Sequence, residues 1–103
     1  MQLIQILLPR SDNDGRPLEG ALYRQVRLEL IERFGGLTAY VRAPAEGLWQ
    51  PEDGEPPVRD EVLVYEVMAE TLEREWWAEY REALRQRFRQ RSLIIRAQPL
   101  ELL

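Results

Sequence analysis

The chain contains no cysteine, no histidine and no lysine, so all 14 of its basic residues are arginine. Each absence removes a chemistry. Disulfides, thiolate nucleophiles, imidazole bases, lysine Schiff bases and zinc sites of the usual Cys/His type cannot be built from this alphabet. No apolar run approaches the roughly 20 residues that a membrane-spanning helix requires, so no membrane role is expected. The start, MQLIQILLPR, lacks a basic leader and a small-residue cleavage site; it reads as a strand rather than a signal peptide, and a cytoplasmic location is expected. A basic excess is missing too. The net charge of −4 opposes a general nucleic-acid-binding role.

What is present suits a soluble globular protein, with 45% hydrophobic and 31% charged residues in 103. That length makes one domain, with a single core burying roughly two-thirds of the unfolded surface. The acids Asp12, Asp14, Glu52, Asp53 and Glu55 fall in turn-like stretches without the spacing of a calcium loop, so no metal or other cofactor is expected. The run RQRFRQR, Arg85 to Arg91, is the one concentration of positive charge. It reads either as a phosphate-binding patch or as a helix end. Glu73, Glu75, Glu79 and Glu82 precede it, and that gradient runs as a helix dipole favours, which supports the helix end.

Periodicity orders the elements. QLIQILL (2–8) has Ile4, Ile6 and Leu8 on one face and Leu3, Gln5 and Leu7 on the other, a strand covered on both sides. SDNDGRP (11–17) is dense in turn formers. From Leu18 to Phe34, Leu22, Val26, Leu30 and Phe34 recur every four residues, widened by Tyr23 and Ile31. This predicts a helix, and Gly35 and Gly36 supply its termination. LTAYVRA then alternates, with Leu37, Ala39, Val41 and Ala43 opposite Thr38, Tyr40 and Arg42. Pro44 to Arg59 holds four prolines and the acids Glu46, Glu52, Asp53 and Glu55, and reads as a long, exposed loop. EVLVYEVM (61–68) is a third strand, with Leu63, Tyr65 and Val67 opposite Val62, Val64, Glu66 and Met68. Thr71 is placed to cap a second helix, whose stripe of Trp77, Tyr80, Leu84 and Phe88 is flanked by Trp76 and Ala83. Adjacent helical residues diverge by about 100°, so Trp76 and Trp77 cannot both face the core centre. SLIIRAQPLELL supplies a fourth strand that Pro99 confines to an edge.

The order β-α-β-β-α-β predicts an α+β, ferredoxin-like fold: a four-stranded antiparallel sheet with two helices on one face. The opposite face would then present Leu3, Gln5, Leu7, Thr38, Tyr40, Arg42, Val62, Val64, Glu66, Met68, Ile94, Arg96 and Gln98. A face so nearly half apolar is expected to meet a partner.

RFGGLT (33–38), GLW (47–49) and RFRQRSL (87–93) resemble a family of small bacterial proteins classed as a domain of unknown function. The likeness runs through most of the chain after residue 30, and it implies a fold and no activity.

Tyr40, Arg42, Glu66 and Arg96 form the first candidate site. Arginine offers a planar fork for carboxylate or phosphate, and Glu66 among apolar neighbours is a candidate base. The competing reading makes the same residues a polar set inside a homodimer interface, and with no second catalytic group beside Glu66 that reading is preferred. Trp49 is the second candidate. Leu48 and Trp49 are the large apolar residues of the acidic segment, so a lid packed on the subunit or on its dimer partner is expected, with ligand capture as the alternative. Two functions follow. The first is a homodimeric interaction module with a protein partner. The second is a small-ligand-binding protein or enzyme of the dimeric α/β-barrel type, with its cavity on the open sheet face.

Overall fold

The computed structural model describes residues 1–49 and 58–103, with side chains described for 1–41 and 61–103. Its elements are β1 (Gln2–Pro9), α1 (Gly20–Phe34), β2 (Thr38–Trp49), β3 (Val58–Ala69), α2 (Arg74–Arg87) and β4 (Ile94–Pro99). The strands form one sheet in the order β2-β3-β1-β4, every pair antiparallel. This is the ferredoxin-like arrangement expected from the sequence: α1 carries the chain from β1 to its parallel neighbour-but-one β2, and β3 fills the gap.

The core lies between sheet and helices. Ile4, Ile6 and Leu8 of β1 and Tyr65 and Val67 of β3 meet Val26 and Leu30 of α1 and Trp77, Tyr80 and Leu84 of α2, with Phe88 and Leu93 closing one end. The two tryptophans divide as helical geometry requires. Trp77 is buried, while Trp76 is partly exposed, stacked on Tyr80 at 4.8 Å and covered by the Arg33 guanidinium at 4.0 Å. In α1, Ile31 departs from the expected stripe: it is exposed, as is Leu28 beside it.

Gly35 ends α1 with φ +82°, and its N–H donates to the Ile31 carbonyl. The left-handed conformation makes glycine the natural residue there. Helix α2 begins later than the Thr71 cap predicts, at Arg74 after Glu73, with no side-chain cap. Its other end is tied to the β1–α1 turn. Arg89 takes φ +51°, the buried Gln90 donates from Nε2 to the carbonyls of Ser11 (2.9 Å) and Phe88 (2.7 Å), and the Arg91 N–H reaches Asn13 Oδ1 at 2.7 Å.

One expectation is corrected. The segment from Pro44 to Arg59 is not a loop along its whole length: Ala45–Trp49 pairs with Val58–Val62, so β2 and β3 continue as a hairpin. Proline cannot donate to a ladder, and Pro44 falls where it need not, in the register shift between Tyr40 and Ala45. Trp49 is therefore the last paired residue of β2, opposite Val58, rather than the centre of a loop, and its side chain lies outside the described residues.

Candidate functional site

The strand registers sort the open face into rows. Thr38, Glu66, Gln5 and Arg96 are in line across all four strands, one residue from each. The row on one side is Tyr40, Val64, Leu7 and Ile94; on the other, Met68, Leu3 and Gln98. A polar row thus runs between rows that are mostly apolar. It arises because Gln5 and Glu66 share the parity of Leu3, Leu7, Val64 and Met68 on strands whose other parity is the core.

Three members of the polar row are bonded in series, and Tyr40 of the neighbouring row joins them. Arg96 Nε donates to Gln5 Oε1 at 2.7 Å, Gln5 Nε2 donates to Glu66 Oε1 at 2.5 Å, and the Tyr40 hydroxyl reaches Glu66 Oε2 diagonally at 3.2 Å. Gln5 suits the middle position because its amide has an acceptor for the guanidinium and donors for the carboxylate. Among the described residues, Arg96 uses only Nε in this chain of hydrogen bonds. Hydrogen bonding to Glu66 and the charge on that carboxylate both raise the Tyr40 hydroxyl pKa from its usual value, keeping the phenol protonated.

Of the five sequence candidates, the structure brings Tyr40, Glu66 and Arg96 together. Arg42 lies in β2 within the register shift, and its side chain, like that of Trp49, is outside the described residues. Gln5 is a further member, placed by the sequence on the open face but not among the candidate site residues. Its signal was available: a lone amide in LIQILL (3–8), an otherwise apolar strand. One residue of the predicted open set behaves differently. Val62 is buried, facing Pro9 on one side and Ala45, where β2 re-enters register, on the other. At the sheet edges the core-parity residues Ala39 and Ala97 are exposed, because the helices do not extend over them.

Tyr40, Met68 and Ile94 expose 49%, 49% and 51% of their surface on this face, with Leu3, Leu7 and Val64 partly open between them. The surface is therefore apolar around a charged centre.

The arginine-rich run serves the helix end. Arg85 bridges Glu82 at 2.6 Å, Arg87 holds both oxygens of Glu29 at 2.6 and 2.9 Å, and Arg89 pairs with Asp12 (3.7 Å) and Glu19 (3.3 Å). Three of the four arginines of the run are thus engaged by carboxylates, in keeping with the helix-end reading. Among the described residues, no group of three or more carboxylates is arranged to hold a metal ion. No helix among them is long and apolar enough to cross a membrane.

No family model matches the chain, and no curated protein matches it significantly. The resemblance to a domain of unknown function thus rests on its short sequence runs alone. Among solved structures, the chain is similar to a phage SAM lyase in complex with S-methyl-5′-thioadenosine, at a TM-score of 0.57 and 18% identity over 94% of this chain and 79% of that one. The same comparison with a phage SAM lyase in the apo state gives a TM-score of 0.57 and 16% identity, over 94% and 78% of the two chains. At such identities the likeness is one of fold.

Proposed function

We propose that this protein self-associates through its open sheet face and binds there a small ligand carrying positive charge, with SAM, read as S-adenosylmethionine, as the first compound to test and the uncharged S-methyl-5′-thioadenosine as its comparison. The observation that carries the reading is the hydrogen-bonded chain Tyr40–Glu66–Gln5–Arg96 set among exposed apolar side chains. SAM combines a sulfonium and an ammonium with a carboxylate. Glu66 supplies the negative partner and the Nη groups of Arg96 the positive one, and Leu7, Val64, Met68 and Ile94 flank them with surface for an apolar or aromatic portion. A second copy over the face would remove water and strengthen both charge interactions. The fold likeness to a SAM lyase supports trying that ligand class first; it does not by itself transfer an activity.

The test is native mass spectrometry and calorimetry with each compound, followed by chromatography for conversion of SAM to S-methyl-5′-thioadenosine. Binding of SAM to an oligomer is expected, weakened about tenfold or more in Glu66→Gln on the scale of one charge-assisted contact, with the neutral S-methyl-5′-thioadenosine little affected by that change. A monomer that binds neither compound at millimolar concentration refutes the reading. A second reading, an interaction module without a ligand, is favoured by the exposure of Met68 and Ile94. It predicts an oligomer that carries nothing and is indifferent to Glu66→Gln.

A further inference from the structure

Away from the open face, a groove of about 500 Å³ runs between α2 and β4, lined by Leu72, Arg74, Trp77 and Arg81 from the helix side and Ile95 and Ala97 from the strand. We infer that this groove docks an extended acidic segment of another protein, which adds as a strand to the free edge of β4 and sets two carboxylates against Arg74 and Arg81.

The strand edge is the first ground. Among the described residues β4 ends the sheet and pairs with β1 alone, in unbroken register from Gln2–Pro99 to Leu7–Ile94. Edge strands are usually blunted by proline, a bulge or a covering element. Here the proline is the last residue, the register has no bulge, and Ala97 is exposed where α2 fails to cover it.

The arginines are the second. Among the described residues Arg74 and Arg81 form no ion pair and no side-chain hydrogen bond, in contrast to Arg85 and Arg87 farther along the helix. Neither has an acid three or four residues away within α2; the glutamates Glu75, Glu79 and Glu82 follow a different stripe. Arg74 also sits in the first turn, where the helix dipole opposes a cation, so helix stability does not account for it. Seven helical residues span about 10.5 Å, which falls between the roughly 6.6 Å and 13 Å separating side chains two and four apart on one face of a strand.

Charge chooses the occupant. Twofold pairing of β4 with β4 of a second copy would set Arg74, Arg81 and Arg96 against their own equivalents, and pairing β4 with the other edge, β2, would be head to tail and open-ended. An acidic strand from another protein meets the guanidiniums, unpaired among the described residues, and the backbone of the sheet edge together, the mode known as strand addition.

The probe is a short fluorescent peptide alternating glutamate with valine and threonine, with a glutamine-for-glutamate twin, read by anisotropy against the intact chain. Saturable binding of the glutamate peptide is expected, about tenfold weaker for its twin and for Arg74→Gln/Arg81→Gln, the loss that two exposed ion pairs provide. Ala97→Glu, which leaves both arginines in place and adds a like charge in the groove, is expected to weaken it as well. Amides of Ile94–Pro99 should gain protection from exchange. Equal affinity for the two peptides, unchanged affinity in both variants, protection on the open face instead, or self-association through β4 would each overturn the inference, as would no binding at millimolar peptide.

Discussion

Replacing Ile94 by glutamine tests the proposed assembly most directly. Ile94 lies on the open face with 51% of its surface exposed, so roughly half of the 1.5–3 kcal/mol for burying an isoleucine side chain is still to be gained when a partner covers it. A twofold interface contains the residue twice, which puts the loss in Ile94→Gln at about 1.5–3 kcal/mol, or about 10- to 150-fold in the dimer dissociation constant. The fold should tolerate the change, because the side chain contributes to no core contact. Leu28→Gln is the control. Leu28 is 68% exposed, more than Ile94, but on α1 and therefore on the far side of the sheet. If the protein were merely adhesive, the two substitutions would weaken association alike. Sedimentation equilibrium across a concentration series should show the dissociation constant rising for Ile94→Gln and unchanged for Leu28→Gln. A wild-type chain that is monomeric throughout, or a rise for Leu28→Gln in place of Ile94→Gln, refutes self-association through the open face.

Two further predictions concern the scaffold. Glu29 accepts two hydrogen bonds from Arg87 and one from the Tyr80 hydroxyl (2.9 Å), fastening α1 to α2. The Arg87 hydrogen bonds hold its carboxyl below the usual carboxylate range, with Tyr80 reinforcing them against the opposing effect of burial. A depressed pKa stabilises the folded state above the unfolded value, and that stability is lost as pH falls through the folded one. Glu29→Gln should therefore cost about 1 kcal/mol at neutral pH, after discounting for partial exposure, or about 4–8 °C in Tm. The difference from wild type should shrink in acid, and denaturation curves that stay a constant distance apart from neutral to acid pH would contradict it. At the end of α1, Gly35→Ala should cost about 1–2 kcal/mol because φ is positive there. Gly36→Ala, at a position without positive φ and with nothing within 4 Å of an added Cβ, should be close to neutral; equal effects of the two by thermal melting would count against the cap assignment.

The elements whose side chains alternate or recur every three to four residues were legible because burial acts on that period: Ile4, Ile6 and Leu8, then Val26 and Leu30, then Trp77, Tyr80 and Leu84 occupy the core their spacing assigns. The central part of the open face was legible for the same reason, since whatever alternates with a core residue on a strand faces the other way. Long-range pairing was not. Prolines 44, 51, 56 and 57 argue locally for a loop, yet residues 45–49 and 58–62 are paired, since a register shift absorbs Pro44 and pairing is decided by the opposite strand rather than by the segment's own composition. Arg74 and Arg81 were hidden differently. In sequence they are two cations in a helix whose overall gradient, acids before arginines, satisfies the dipole. Only the sorting of Arg85, Arg87 and Arg89 onto carboxylates of α2, α1 and the β1–α1 connection leaves the two earlier guanidiniums beside an open groove. Gln5 belongs between these cases. Its face could be read from parity, but its importance depends on register: it bridges Glu66 and Arg96 because β1 lies between β3 and β4 and places them directly opposite it. Where a function depends on which residues are neighbours across strands, the pattern along each strand supplies the faces and the pairing supplies the site.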